Sequence, residues 1–390
     1  MTGATLAQLL NFISFPIIAS WYGPNEFGNY ATFAFYVAIL PLLMTLRMEM
    51  AVMQDPDEHE RNTLLLISFL NSLILFAICL VIAAIASDES RIQIILIGVG
   101  AFIASLQNVN ISLLNISERY WVLSLSRLLF PILFLLTTWS LKDSNILFPL
   151  ALAHAISTLL VVILLFKMSI YRIKINNFIY IRPVIRKYIH YIKYDLPSAS
   201  INACALLLPA YLIGVLFNEE SAGLYFLAFK LILSPLGAIT LAVGYVYRRE
   251  AVKEYNSNGS FIHSTKTSFK ILLVIAILML ISFYSFGEYF FVLAFGDEWV
   301  KALPLISILM PMFAFKLLAS PLSFSFYIVD KLKLDLYGQS IFVLLTAVSI
   351  FVGYINEDFI FSVLLVSISS ILVYVGYAIL SIYFSRGNVN

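Results

Sequence analysis

The sequence predicts an all-α polytopic membrane protein with twelve transmembrane helices in two parallel six-helix repeats. Three observations carry this. Of the 390 residues, 61% are hydrophobic and only 12% charged, and the mean hydropathy is +0.95. A soluble domain carries about 25% charged residues, so this chain has too little polar surface to face water all round. Twelve apolar runs are long enough to cross a bilayer, which takes about 20 residues each. One phrase also occurs twice, as PIIASWYGPNEFGNY at 16–30 and PAYLIGVLFNEESAGLY at 209–225.

In chain order the runs are 2–21, 29–54, 62–86, 92–115, 121–140, 146–168, 196–217, 223–247, 268–294, 302–328, 335–354 and 359–384. They are too long and too uniformly apolar for barrel strands, which alternate and need only about ten residues. The first run lacks a basic leader and a small-residue cleavage site before Trp21, so it reads as a retained span rather than a signal peptide. Cys79 and Cys204 each stand alone in apolar runs and read as small buried hydrophobes, with no metal or disulfide spacing.

The connections alternate in character. Those at 22–28, 87–91, 141–145, 218–222, 295–301 and 355–358 are short and mostly acidic, with Arg91, Lys142 and Lys301 as their only cations. The others carry 18 of the 24 Lys and Arg residues. The positive-inside rule then puts both termini in the cytoplasm.

The segment FIYIRPVIRKYIHYIKYD at 178–195 interrupts the series. Ile181, Ile185, Tyr188, Ile189 and Ile192 fall at helical spacing, and Arg182, Arg186, Lys187, His190 and Lys193 take the other side. It is too charged to span and should lie at the cytoplasmic interface, near anionic lipid headgroups. The expected organisation is a six-helix lobe at 1–168, an amphipathic linker at 169–195 and a second six-helix lobe at 196–390. Six spans on either side of the linker return the second half in the same orientation, hence parallel repeats. The repeated phrase would form the outer turn of a hairpin in each copy, with Gly28 and Gly223 freeing the backbone and Tyr30 and Tyr225 anchoring the interface.

An ionisable side chain inside a span costs about 2.5–3.5 kcal/mol on insertion scales and marks a partner or a wet cavity. Lys316 lies about 21 Å into a span opening at 302, with Ser320, Ser323 and Tyr327 expected on its face. Lys230 lies about 10 Å from the outer face, within snorkelling reach. Arg47 and Glu49 sit near the cytoplasmic end of the second span; Arg47 reads, with Lys316 and Lys230, as a cation for an anionic substrate or as a snorkelling side chain, and two residues apart on a helix it and Glu49 should point to different faces. Glu49 reads either as a protonation and ion-coupling site or as a structural partner for a cation on another helix. Arg127 reads as a substrate contact or an interfacial anchor. Asn108, Ser112 and Asn115 share a helical face, flanked by Gln107 and Asn110; such amides hold sugar hydroxyls or glue helices together. His154 reads as a proton carrier or a hydrogen-bonded packing residue.

The sequence carries no Walker loop, no HExxH and no paired intramembrane carboxylates, so neither a catalytic role nor ATP drive is indicated. The net charge of +2 suggests no nucleic-acid partner, and no cofactor is called for.

Five stretches, in order along nearly the whole chain, resemble the O-antigen type polysaccharide-biosynthesis flippases of the MOP superfamily: PIIASWYGPNEFGNYATF, TLRMEMAVM, LPAYLIGVLFNEESAGLYFLAFKLILSPLGAI, FGDEWVKALPLISILMP and ASPLSFSFYIVDKLKLDLYGQS. The resemblance implies two six-helix bundles in a MATE-like V around a cationic central cavity, working by alternating access in a prokaryotic inner membrane. It implies transport of an undecaprenyl-pyrophosphate-linked oligosaccharide for lipopolysaccharide, coupling to H+ or Na+, and a polysaccharide polymerase and a chain-length regulator as partners. Two features depart from that pattern. Met1 nearly opens the first span where a longer basic lead-in is usual, and Ile18-Ala19-Ser20-Trp21 stands where an arginine often follows the proline. A MATE-like multidrug or cation exporter shares the architecture but favours an acidic cavity. A membrane polymerase or ligase would need a large external loop, and a purely structural organiser would not need a deep lysine.

Overall fold

The computed structural model describes residues 2–54, 56–168 and 181–387, and among these all regular structure is helical. The helices are α1 (Thr2–Ala19), α2 (Pro24–Thr45), α3 (Met48–Val52), α4 (Glu58–Ile85), α5 (Asp88–Ile116), α6 (Tyr120–Leu141), α7 (Pro149–Met168), α8 (Ile181–His190), α9 (Leu196–Leu216), α10 (Glu219–Asn258), α11 (Ile262–Ser282), α12 (Glu288–Phe295), α13 (Leu303–Leu322), α14 (Ser325–Ile328), α15 (Leu332–Ile355) and α16 (Phe359–Ser385). Among the described residues, eleven helical stretches are long and apolar enough to cross a membrane, and α1 adds eighteen residues. The chain is thus an all-α polytopic membrane protein.

Four of the six short loops, 22–28, 87–91, 218–222 and 355–358, hold helix starts. Asn218 accepts the Ser221 N–H at 2.8 Å and Asp358 that of Phe361 at 2.9 Å. Glu26, Asp88, Glu89, Glu219 and Glu220 occupy first turns. There they satisfy or complement the unpaired amides that a helix N-terminus leaves. Prolines sit inside several of the spans, including Pro16, Pro41, Pro131, Pro209, Pro235 and Pro311. Each lacks the N–H that would bond the carbonyl four residues earlier, and in lipid that carbonyl needs another donor.

The chain divides into two compact units: residues 1–10 with 29–207, and residues 11–28 with 208–390. The sequence places the boundary at the linker alone. Here the divisions fall within α1, at the start of α2 and inside α9, so residues 16–28 of the first copy of the repeated phrase pack with the second half of the chain.

In the first unit, α8 does not stand apart. Val184 and Tyr188 are buried against Met48, Val52, Leu64, Leu65 and Leu113, with Ile181, Ile185 and Ile192 packed around them. Ile189, expected on that face, is 45% exposed. The reason is local: the helix kinks at Tyr188 and passes through a π turn at Tyr191–Asp195 directly into α9. Lys187 pairs with Glu60 at 2.6 Å, and the Tyr188 hydroxyl donates to the same carboxylate at 2.9 Å. The expected linker's first part, 169–180, lies outside the described residues.

In the second unit the two copies of the repeated phrase pack on each other. A Cβ on Gly28 would lie 1.9 Å from the Glu219 carbonyl oxygen, and one on Gly223 would lie 1.8 Å from that of Pro24. Neither glycine has positive φ; both lie inside helices. Their role is close backbone approach rather than the turn flexibility expected from sequence. The tyrosines are likewise not interface anchors. Tyr225 is 1% exposed, and Tyr30 stacks on Phe134 and bonds to His154. Nearby in the second unit, the fully buried Trp299 packs edge-on against Phe27 and donates its indole N–H to the Ala19 carbonyl at 3.0 Å.

Candidate functional site

Each unit holds a cation centre at membrane depth, and the two differ in chemistry. In the second unit, Lys316 lies thirteen residues into α13, about 20 Å along it. Its Nζ is 5.7 Å from the centre of the Phe229 ring and 5.8 Å from that of Phe313. Lys230, the residue after Phe229 on α10, has its Nζ 5.3 Å from the Phe226 ring. Both lysines are half-buried, and among the described residues neither is paired with a carboxylate. A ring face attracts an ammonium by about 0.5–2 kcal/mol without neutralising it. Two rings at Lys316 therefore offset a large part of the insertion cost and leave the positive charge available to an anion. The polar face expected beyond Lys316 is shorter than its α spacing suggested. After Leu322 the chain tightens, with Phe326 N–H bonded to Ser323 and Tyr327 N–H to Phe324, so Ser320 extends the lysine's face and Tyr327 does not follow at α-helical register.

In the first unit the cation is held by carboxylates instead of rings. α2 stops at Thr45, and Leu46 and Arg47 adopt left-handed backbone with φ of 52° and 59°. A helix end leaves bare carbonyls, which lipid cannot satisfy. α4 supplies the donors. Asn71 Nδ2 donates to the carbonyls of Leu43 and Met44 at 2.8 and 2.9 Å, Ser72 to Met44 at 3.2 Å, and Ser68 to Thr45 at 3.3 Å. The expected continuous span over 29–54 is thereby broken. The break turns Arg47 back so that its Nη1 reaches Glu49 Oε1 at 3.3 Å, while its Nε donates to Asp195 Oδ2 at 2.6 Å. The expectation that Arg47 and Glu49 diverge assumes an unbroken helix. Asp195, which sequence reasoning passes over, is the one acid in the basic stretch 181–195, and that isolation is the available signal. With two carboxylates on one guanidinium, this centre carries a formal charge of −1.

The remaining expected residues all lie in the first unit. Arg127 is exposed. Ser112 is buried, Asn108 half-buried, and the Asn115 amide donates back to the Ile111 carbonyl at 2.9 Å. Asn110 does the same to Leu106 at 2.8 Å. His154 Nδ1 bonds to the Tyr30 hydroxyl at 2.8 Å, with Phe33, Phe130 and Phe134 around its ring. Among the described residues no cluster of His, Cys, Asp or Glu is fit to hold a metal ion.

Comparison with known proteins bears on this arrangement. The profile of a family described as polysaccharide biosynthesis protein matches residues 17–304. No curated protein sequence matches the chain. Among solved structures, the lipid II flippase MurJ in an inward closed conformation superposes with a TM-score of 0.80 at 12% identity, covering 98% of this chain and 87% of that one. An inward-facing multidrug resistance MATE family transporter of the MOP superfamily gives 0.65 at 15% identity, covering 96% and 93%. A MOP superfamily transporter from Pyrococcus furiosus gives 0.59 at 14% identity, covering 100% and 95%. The chain shares its fold with these structures.

Proposed function

Because the chain belongs to the polysaccharide biosynthesis protein family, we propose that it is a flippase for an undecaprenyl-pyrophosphate-linked oligosaccharide, an O-antigen or related repeat unit, moved from the cytoplasmic to the outer leaflet by alternating access. The observation that carries this reading is the pair Lys316 and Lys230, cations at membrane depth held by rings rather than carboxylates. A pyrophosphate diester brings about two negative charges, and such groups bind cations through charge-assisted hydrogen bonds. Moving them outward is favoured by roughly 2.3 kcal/mol per charge per 100 mV of inside-negative potential. The protein then has only to lower the barrier, and no catalytic step is required of it. The family and the shared fold with a lipid II flippase support a lipid-linked glycan; the two unneutralised lysines favour it over a cationic drug.

The centre at Arg47 has a different role in this reading. Its excess carboxylate suits a coupling cation, H+ or Na+, more than a pyrophosphate. Glu49, 2% exposed, is where a proton would be taken.

Complementation of a flippase-deficient strain tests the proposal. Lys316→Ala should abolish surface glycan at normal protein levels, and Lys316→Arg should retain much of it. Full activity of Lys316→Ala would reject the role of this lysine. Glu49→Gln should remove the dependence of transport on the proton gradient; an unchanged dependence would leave Glu49 structural.

A further inference from the structure

The two helices α10 and α11 run antiparallel, joined by a turn at Gly259, whose φ is 67°. An open groove of about 480 Å³ lies between them, within the 300–1,000 Å³ typical of small-ligand sites. Its lining is graded along the helices. Val243, Val246 and Ile271 line the deep part, and Glu250, His263 and Thr267 line the part near the turn. Val246 is 63% exposed and Ile271 48%, so the deep part opens on the surface that faces lipid. From Ala242 to Glu250 the polarity changes over about 12 Å.

Four cations stand beside the polar end. Arg249 and Lys253 follow Val246 and Glu250 by three residues, and Lys266 and Lys270 follow His263 and Thr267 by three. On an α-helix that offset is one step around the same face. All four are exposed, and among the described residues none is in an ion pair. Glu254 is held at the helix start. It accepts the N–H groups of His263 and Ser264 at 3.0 and 2.8 Å and so caps the start of α11. Those amides are thereby taken and are not themselves an anion site. Glu250 and Glu254 together leave two carboxylates against four cations.

We propose that this groove binds an anionic phospholipid, with one acyl chain along Val243, Val246 and Ile271 and the phosphodiester between the Arg249–Lys253 and Lys266–Lys270 rims. The argument is charge complementarity joined to an apolar-to-polar gradient of the right sense: basic pockets between membrane helices are a recognised form of lipid headgroup site. The site is separate from the lysines assigned to the transported substrate, and its test does not depend on transport.

Native mass spectrometry of the purified full chain, titrated with phosphatidylglycerol or phosphatidylcholine, reads it directly. The chain should retain phosphatidylglycerol and release phosphatidylcholine. Lys266→Gln with Lys270→Gln should weaken phosphatidylglycerol roughly 25-fold, from two surface cations, and Lys266→Arg with Lys270→Arg should bind as the parent does. Val243→Phe, which fills the groove without changing charge, should also weaken binding. Lys331→Gln with Lys333→Gln, at another basic turn, should not. Equal retention of the two lipids, preference for phosphatidylethanolamine, displacement by soluble glycerol phosphate, or unchanged binding in the Lys266/Lys270 glutamine variant would overturn the assignment. If that double variant is poorly folded, Val243→Phe and Lys266→Gln alone decide the matter by the same readout.

Discussion

Arg47 and Lys316 are both cations at membrane depth, yet opposite consequences follow from removing them. Glu49 is 2% exposed and has Arg47 beside it at 3.3 Å. Truncating the arginine leaves a buried carboxylate without its countercharge, which typically destabilises by about 3–5 kcal/mol. Arg47→Ala should therefore lower the thermal unfolding midpoint in detergent, and adding Glu49→Gln should restore most of the loss. If the single variant melts with the parent, the ion pair does not hold the end of α2. Lys316 has ring faces beside it and no carboxylate partner among the described residues. Lys316→Met removes an insertion cost of about 2.5–3.5 kcal/mol and loses cation–π attraction of similar size. Its midpoint should stay the same or rise while glycan transport disappears; a clear fall in midpoint would make this lysine structural. These two residues also show what a sequence can disclose. A lone lysine in an apolar run is legible because nothing else explains it. The Arg47–Glu49 pair is not, because the bend that joins them depends on Ser68, Asn71 and Ser72 of α4, more than twenty residues away along the chain.

At the scale of elements, the recurring phrase is visible as a repeat in the sequence, but its function is not. Tyrosine and glycine beside an acidic turn read equally well as an interface anchor and a hinge. Only the folded chain shows Gly28 resting on the backbone of Glu219 and Gly223 on that of Pro24. Helices in lipid gain little from apolar burial against one another and rely on close packing, which small residues permit. With a carbonyl oxygen 1.8–1.9 Å from where Cβ would stand, even a methyl group forces the helices apart. Gly28→Ala and Gly223→Ala should each destabilise by about 1–3 kcal/mol, the usual range for overpacking, and lower the monodisperse yield in size-exclusion chromatography. Gly376 lies in α16, where an added methyl would meet nothing within 4 Å, so Gly376→Ala should be neutral or slightly stabilising through helix propensity. Equal behaviour of all three variants would show that the close approach contributes nothing. The amphipathic segment is legible in its charges but not in its course. The kink at Tyr188 ends the regular face that buries Val184 and Tyr188 and leaves Ile189 exposed.

For the whole molecule, the strongest regularity is the placement of charge along the chain. Span count and helical class follow from composition and run length alone, since lipid leaves the backbone few alternatives. The way the units divide does not follow, because residues 11–28 join the second half through contacts that no linear pattern records. Orientation is a separate question, which charge addresses directly. Arg119 stands between α5 and α6, five cations from Arg248 to Lys270 flank the α10–α11 turn, and Lys331 and Lys333 stand at the start of α15. By contrast, Arg91 and Lys142 are the cations near the α4–α5 and α6–α7 connections, and the α15–α16 turn has none. Translocating a lysine-rich turn against the potential is disfavoured at roughly 2.3 kcal/mol per charge per 100 mV, so a bias of 18 against 3 cations should fix the topology firmly. Cysteine scanning in intact cells can read it. With the two free thiols Cys79 and Cys204 replaced by Ala, Asp143→Cys and Asn356→Cys should react with a membrane-impermeant maleimide from outside, and Asn256→Cys should react only after the membrane is opened. The reverse pattern would invert the protein in the bilayer. Glu49 would then lie near the outer face, and the basic α10–α11 turn would leave the leaflet whose anionic lipids it suits. The coupling role proposed for Glu49 and the lipid site beside Lys266 and Lys270 would both have to be abandoned with the orientation they assume.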